Sequence, residues 1–209
     1  TVMRFTLDPE RLVDVTMPLS DNTPAWPGDT QFRREVREGH GFRTSRITMS
    51  SHSGTHLDAP GHLSELGSFV DGMPPSSLIL PALVIDAAGH QAVGRELLDG
   101  LRLGGRALLL KTRAEPSLNL SMDYGHLSPE AACMAVDMGT SMVGIDTLSV
   151  DPPNSDRAHR TLLGAGIPVV ENLWLEEISP GGYFFLCFPL RIESGDGSPV
   201  RAFLQPDLT

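Results

Sequence analysis

The chain has 209 residues, of which 40% are hydrophobic and 20% are charged, a balance typical of a globular protein. Its 16 basic and 26 acidic residues give a net charge of −10, which argues against binding of nucleic acid by a basic face and against attachment to an anionic membrane surface. This length leaves no clear room for a second domain, and no linker divides it, so we expect one domain over residues 1–209.

The two cysteines, Cys133 and Cys187, exclude both a disulfide scaffold and a zinc site of the CxxC type. We expect both to be buried free thiols in a reducing compartment. No apolar run approaches the roughly 20 residues that span a bilayer, and the first residues lack the apolar stretch of a signal peptide. These features predict a soluble cytoplasmic protein.

The first half of the chain alternates short apolar runs with loops rich in glycine and proline. One of these loops carries Trp26 between Pro24 and Pro27, two residues that stiffen it. An aromatic ring on such a loop either walls a pocket or packs over the edge of the core. The patterns predict a helical turn at 95–99 and strands at 12–19, 46–50, 78–87 and 106–111.

The second half of the chain contains clear helix signals. Ser128, Pro129 and Glu130 are typical of a helix start, and Gly139 is typical of its end. A second helix is predicted from Ser155 to the glycines at 164 and 166, and strands at 142–145, 167–170 and 183–192. The alternation of strands and helices predicts an α/β fold with a mixed β-sheet and flanking helices.

The segment from His52 to His62 holds three of the seven histidines, with Asp58 among them. Histidine is the commonest metal ligand, and a carboxylate adds negative charge to a site. A helix is disfavoured because Gly54 lies between His52 and His56. A fully extended strand of ten residues would reach about 33 Å, whereas paired metal ions lie only about 3.5–4 Å apart. We therefore expect a coiled loop at a strand end.

Several interpretations of this segment are open from the residues alone. His52, His56 and Asp58 have the composition of a metal-dependent hydrolase site and also of the triad of mononuclear iron oxygenases. A surface cluster of histidines without an ion is the simplest alternative. Asp146 and Asp151 flank a turn after a strand, and turn chemistry accounts for both.

The segment HSGTHLDAPGH, residues 52–62, resembles the signature of the cyclase family, which includes bacterial kynurenine formamidases and isatin hydrolases. The resemblance extends to VDVTMPLSDNTPAWPGDTQF near the start of the chain. It continues in the second half through three segments, GIDTLSVDPP, AHRTLLGAGIPVVENL and DGSPVRAFL. It thus covers nearly the whole chain and implies a swivelling β/β/α-type fold.

The resemblance implies a pair of divalent ions, Zn²⁺ in the first place and Mn²⁺ as the alternative. His52, His56 and Asp58 match the ligands of one ion, and Asp58, His159 and Glu171 match those of the other, so that Asp58 bridges them. On the residues alone, His159 shares a helical face with apolar residues and is typical of a core histidine, and Glu171 is typical of an exposed acid at a strand end.

The resemblance also implies a chemistry and an assembly. His62 matches the catalytic acid/base and Trp26 a residue that contacts substrate. The implied reaction is hydrolysis of N-formylkynurenine, or of a related amide, by a metal-bound hydroxide. A small-molecule substrate and a homo-oligomer, either a dimer or a tetramer, are expected as well.

The formamidase pattern carries a second histidine directly after the one that matches His159, where this chain has Arg160. The substrate is therefore open between a formamide and a cyclic amide or lactone such as isatin. A metal-binding scaffold without catalytic activity is the alternative from a different class of protein.

Overall fold

The computed structural model describes residues 6–113 and 123–207. Short 3-10 turns, among them Pro60–His62 and Arg95–Leu97, connect the main elements. The strands in chain order are β1 Val13–Asp14, β2 Arg33–Gly39, β3 Phe42–Thr48, β4 His56–Asp58, β5 Ile79–Asp86, β6 Ala92–Val93, β7 Ala107–Lys111, β8 His126–Leu127, β9 Met142–Ile145, β10 Val169–Glu171, β11 Gly181–Pro189 and β12 Gly197–Pro206, and the helices are α1 Pro129–Asp137 and α2 Arg157–Gly164.

Eight strands form one mixed sheet in the order β1-β12-β11-β5-β7-β9-β10-β4. The central strands β5, β7, β9 and β10 are parallel, and the remaining neighbours are antiparallel. The first residues of β12 also pair with β4, which places Gly197 opposite Asp58 and Pro199 opposite His56. The sheet therefore closes on itself like a barrel, and the predicted α/β class with a mixed sheet is confirmed.

Two apolar cores lie on the two faces of this sheet. Along β7, Leu109 belongs to one core and Leu108 and Leu110 belong to the other, as the period of two in a strand requires. The first core surrounds Phe185, and the second includes Leu162 of α2. Both α-helices thus cover the same face of the sheet.

Most predicted elements are confirmed, with small differences at their ends. The side chain of Ser128 accepts a hydrogen bond from the Ala131 backbone N–H at 3.1 Å, which caps α1, and Gly139 follows the helix with a φ of +75°. The second helix begins at Arg157, two residues later than predicted. The strand predicted at 12–19 is reduced to β1, because the Met17 N–H donates to a threonine side chain and Pro18 has no N–H.

Strands β2 and β12 lie where the hydrophobic pattern gives no signal. The segment predicted as a strand at 46–50 is the end of a hairpin, β2 and β3, in which every residue is exposed. Strand β12 contains a glycine and two prolines, which are depleted in strands. Pairing on both of its edges forms β12 despite this composition.

The expectation of two buried thiols is wrong for one of them. Cys187 is buried, and burial raises the pKa of its thiol, whereas Cys133 on α1 is exposed. Both cysteines are free. Across residues 6–113 and 123–207, the structure contains no helix that is both long enough and apolar enough to cross a membrane.

Thr55 connects three segments at the start of β4. Its hydroxyl donates to the Asn172 carbonyl oxygen at 2.6 Å and accepts from the Met17 backbone N–H at 2.7 Å. Its own carbonyl oxygen accepts from the Val200 N–H at 2.9 Å. Because Thr55 is only 2% exposed, water has little access to replace these bonds.

Thr55→Val is expected to lower the free energy of unfolding by about 1–3 kcal/mol, since the isosteric side chain leaves the buried Met17 N–H without its acceptor. Thr30→Val at an exposed loop position is the control and should change it by no more than about 0.5 kcal/mol. Urea unfolding of both variants measures the difference. Equal stability of the two variants would contradict the role given to Thr55.

Candidate metal centre

The histidine-rich segment folds into three short pieces. Residues 51–55 form a turn in which Gly54 has a φ of +63°, and a Cβ atom there would lie 2.6 Å from the Leu19 side chain. The buried strand β4 follows, and the 3-10 turn at Pro60–His62 ends the segment. The prediction of a coiled loop is therefore right for the turn and wrong for residues 56–58, which pair with strands on both sides.

Sheet pairing brings distant residues to the same place. In the antiparallel pair of β4 and β10, Glu171 lies directly opposite His56. His56 and Asp58 point to the same face of β4 because they are two residues apart. Helix α2 adds His159 from a third element. The five residues predicted as metal ligands are thus within reach of one another.

Asp58 is the centre of the group, since its two oxygens face imidazoles on opposite sides. Its Oδ1 lies 2.6 Å from Nδ1 of His52 and 3.4 Å from Nε2 of His56. Its Oδ2 lies 3.2 Å from Nε2 of His159, which is also 3.3 Å from Oε1 of Glu171. The donors therefore form two sets of three that share Asp58.

The His56 ring presents a lone pair to this centre. Its Nδ1 lies 2.8 Å from the carbonyl oxygen of Gly54, which can only accept, so this nitrogen carries the proton. The Nε2 of the neutral ring then faces carboxylate oxygens of Asp58 at 3.4 Å and Glu171 at 3.5 Å. Such an arrangement of acceptors is repulsive unless a proton or a metal ion lies among them.

The His159 ring is arranged in the same way from the other side. Its Nδ1 lies 2.8 Å from Oδ2 of Asp151, and its Nε2 faces Asp58 and Glu171. A carboxylate that holds the far nitrogen of a histidine is a common feature of metal sites. Imidazole and carboxylate donors without a thiolate suit a divalent ion, so the residues fit such an ion.

The buried groups shift one another's protonation in opposite directions. Burial raises the pKa of Asp58, but the surrounding imidazoles lower it well below its ordinary value. Burial lowers the pKa of His52, but Asp58 and Asp196 raise it to about 9. Burial also lowers the pKa of His159, and nearby carboxylates, Glu171 first, raise it well above its ordinary value. The site thus keeps its carboxylates ionised and attracts positive charge.

The centre opens into a cavity of about 310 Å³. Trp26, His62 and Leu148 line it together with the five donors, and the serines at 149 and 155 add polar surface. Trp26 begins a turn in which the Asp29 N–H donates to its carbonyl oxygen at 2.9 Å, with Pro27 and a left-handed glycine in the middle positions. Of the two interpretations of Trp26, the cavity wall is therefore the correct one.

Two acidic residues of the site were missed by sequence reasoning. Asp151 is 1% exposed and binds the His159 ring, so turn chemistry does not account for it. Asp196 lies 2.9 Å from Nε2 of His52 and 3.3 Å from Nδ1 of His62. The available signal was their position in GIDTLSVDPP and DGSPVRAFL, two segments that carry the family resemblance. Asp146 is buried too, but it binds backbone N–H groups of residues 112 and 113.

Known proteins resemble this chain over most of its length. The model of the family described as "Putative cyclase" matches residues 13–152. A kynurenine formamidase of Bacillus cereus is 34% identical over 202 residues, which cover 93% of this chain and 97% of that protein.

Solved structures show the same likeness. A "predicted metal-dependent hydrolase" from Bacillus stearothermophilus is 27% identical, with a TM-score of 0.82 over 92% of this chain and 97% of that one. Isatin hydrolase A from Ralstonia solanacearum is 25% identical, with a TM-score of 0.81 over 94% of this chain and 92% of that one. Since the family model spans more than half of the sequence and the formamidase covers nearly all of it, the chain belongs to the cyclase family.

Proposed function

We propose that this protein is a metal-dependent amidohydrolase that cleaves the formamide of N-formylkynurenine or of a closely related aryl formamide. The observation that carries the proposal is one cavity in which five metal-donor residues, a further histidine and an aromatic side chain lie together. The likeness to kynurenine formamidases over most of the chain supports the choice of a formamide.

The proposed cofactor is a pair of divalent ions, Zn²⁺ first and Mn²⁺ as the alternative. His52, His56 and Asp58 would hold one ion, and Asp58, His159 and Glu171 the other. When bound, such ions lower the pKa of water and polarise a carbonyl group. A mononuclear iron oxygenase uses three protein ligands, whereas five donor residues surround this centre. The larger set favours a hydrolase over an oxygenase.

The proposed acid/base residue is His62, which lies outside both sets of three donors that share Asp58. Its ring centroid is 4.2 Å from that of His52 and 6.3 Å from that of His159, so it lies at the mouth of the centre. Its Nδ1 faces Asp196 at 3.3 Å, which leaves Nε2 as the nitrogen that can take up a proton and pass it to the leaving amine.

Trp26 and Leu148 give the cavity an apolar wall, against which the aromatic ring of the substrate would pack. Asp29 adds a carboxylate at this wall, and no lysine or arginine is among the described residues that line the cavity. An aryl formamide that carries an ammonium group matches this charge.

A cyclic amide such as isatin is the second candidate substrate. The absence of a cationic side chain from the described lining of the cavity also suits a neutral ring, and the fold is shared with isatin hydrolase A. Arg160 does not decide between them, because it is exposed and pairs with Asp156, the residue directly before α2.

We expect protein stripped of metal by a chelator to be inactive and protein reloaded with Zn²⁺ or Mn²⁺ to hydrolyse N-formylkynurenine. Isatin and a simple lactone, assayed in parallel, test the second candidate. Faster turnover of isatin would favour the cyclic amide. Full activity of the metal-free protein would refute the metal mechanism, and metal-loaded protein that hydrolyses none of the three would favour a binding scaffold.

Replacement of His62 by glutamine is expected to lower kcat by about 10²–10⁴-fold, because proton transfer to the leaving group is lost. Zn²⁺ binding should be retained, since His62 belongs to neither of the donor sets around Asp58. His90→Gln, at an exposed position, is the matched control and should behave like the parent. Turnover within a few-fold of the parent in His62→Gln would remove this residue from the acid/base role.

We also propose that the protein is a cytoplasmic homo-oligomer, either a dimer or a tetramer. The hairpin of β2 and β3 pairs with no other strand in the described part of the chain, and an isolated hairpin is marginally stable in water. Phe42 and Ile47 are 77% and 54% exposed. The hairpin carries five arginines and two glutamates, whereas the whole chain has a net charge of −10, so its charge complements a second copy.

Light scattering is expected to give the mass of a dimer or tetramer for the parent and a smaller mass for Ile47→Glu, which places a charge on the exposed hairpin. Leu66→Glu is the control, since Leu66 is 98% exposed in a loop outside the hairpin. A monomeric parent would contradict the proposed assembly. Equal masses for the two variants would place the interface elsewhere.

A further inference from the structure

The turn that precedes β12 is fitted closely against the metal-binding segment. The Asp196 carbonyl oxygen accepts a hydrogen bond from the Ala59 N–H at 2.9 Å, directly after β4. A Cβ atom at Gly197 would lie 2.7 Å from Cε1 of His52 and 2.9 Å from the Leu57 carbonyl oxygen. Position 197 therefore has no room for a side chain, because the His52 ring occupies that space.

The Asp196 carboxylate contacts both histidines at this edge of the cavity. Its Oδ2 lies 2.9 Å from Nε2 of His52 and 3.3 Å from Nδ1 of His62. Its Oδ1 accepts from the Ser51 hydroxyl at 3.2 Å, which fixes the orientation of the carboxylate. An ionised carboxylate only accepts hydrogen bonds, so each ring nitrogen that faces it carries a proton.

The position of these protons determines what the other nitrogens can do. In His52, a proton held on Nε2 by Asp196 makes Nδ1, which lies 2.6 Å from the Asp58 carboxylate, the nitrogen that a metal ion would take in place of a shared proton. In His62, a proton on Nδ1 leaves Nε2 free to accept one. Asp151 holds Nδ1 of His159 in the same manner at 2.8 Å, on the other side of the centre.

We propose that Asp196 is a positioning residue that uses one carboxylate oxygen to orient a metal ligand, His52, and the acid/base residue, His62. The part that concerns His62 rests on the proposed function, whereas the part that concerns His52 requires only that the protein binds a cation. Carboxylates that orient metal-binding histidines typically contribute about 10–100-fold to metal affinity.

A different role for the same residue is a ligand of its own ion. Donor atoms of His52, His62 and Asp196 lie within 4.8 Å of one another. This role would use both nitrogens of His52 for metal ions, and it would give a third ion per chain. A count of bound Zn²⁺ separates the two roles.

The test compares Asp196→Asn with the parent and with Asp151→Asn, in a Zn²⁺ competition titration against a chromogenic chelator. Both variants are expected to bind Zn²⁺ about 10–100-fold more weakly than the parent. At saturating Zn²⁺, Asp196→Asn should lower kcat more than it changes KM. In a His62→Gln background it should lower kcat no further, because it acts on turnover through His62.

Unchanged Zn²⁺ affinity in a folded Asp196→Asn protein would overturn the proposal, as would a third Zn²⁺ per chain in the parent. If Asp196→Asn does not fold, Ser51→Ala removes only the contact to Oδ1 and should weaken Zn²⁺ binding by a smaller factor. Unchanged Zn²⁺ affinity in Ser51→Ala would then overturn the proposal. A parent without hydrolase activity would refute the proposed function but leave the Zn²⁺ result to decide the orientation of His52.

Discussion

The structure depends on one buried carboxylate, that of Asp58. It is 1% exposed, and a carboxylate removed from water to this extent is strongly destabilising unless it is paired. Its partners His52 and His56 come from the same segment of the chain, whereas His159 comes from α2, 101 residues after Asp58. The fold is therefore tied to the site, because full compensation of this charge requires α2 to pack beside β4.

The local parts of this arrangement are predictable from sequence. Ser128, Pro129 and Gly139 act through contacts within one helix, and the strand at 142–145 is found with the predicted bounds. The spacing of His52, His56 and Asp58 could be recognised as metal-binding for the same reason, since all three lie within seven residues. Nearby residues leave a pattern that can be seen without knowledge of the fold.

The long-range parts leave no such pattern. Glu171 comes into the site because β10 pairs with β4, and Asp196 because β12 pairs with the other edge of β4. Neither register can be derived from periodicity, and the turns that hold Asp151 and Asp196 give no sign, in the residues alone, of their place in the site. The sequence predicts only the end of β3 and not β2, because the residues of this hairpin are mostly polar on both faces. The family resemblance supplied His159 and Glu171, which the residues alone did not.

Strand β4 is only three residues long, yet it completes the sheet and carries two of the donors. Separation of β4 from β10 would open the barrel and move His56 and Asp58 away from Glu171. Occupancy by a cation and integrity of this seam are consequently linked equilibria, in which each favours the other. A bound ion would therefore hold β4 in the barrel as well as hold the donors together.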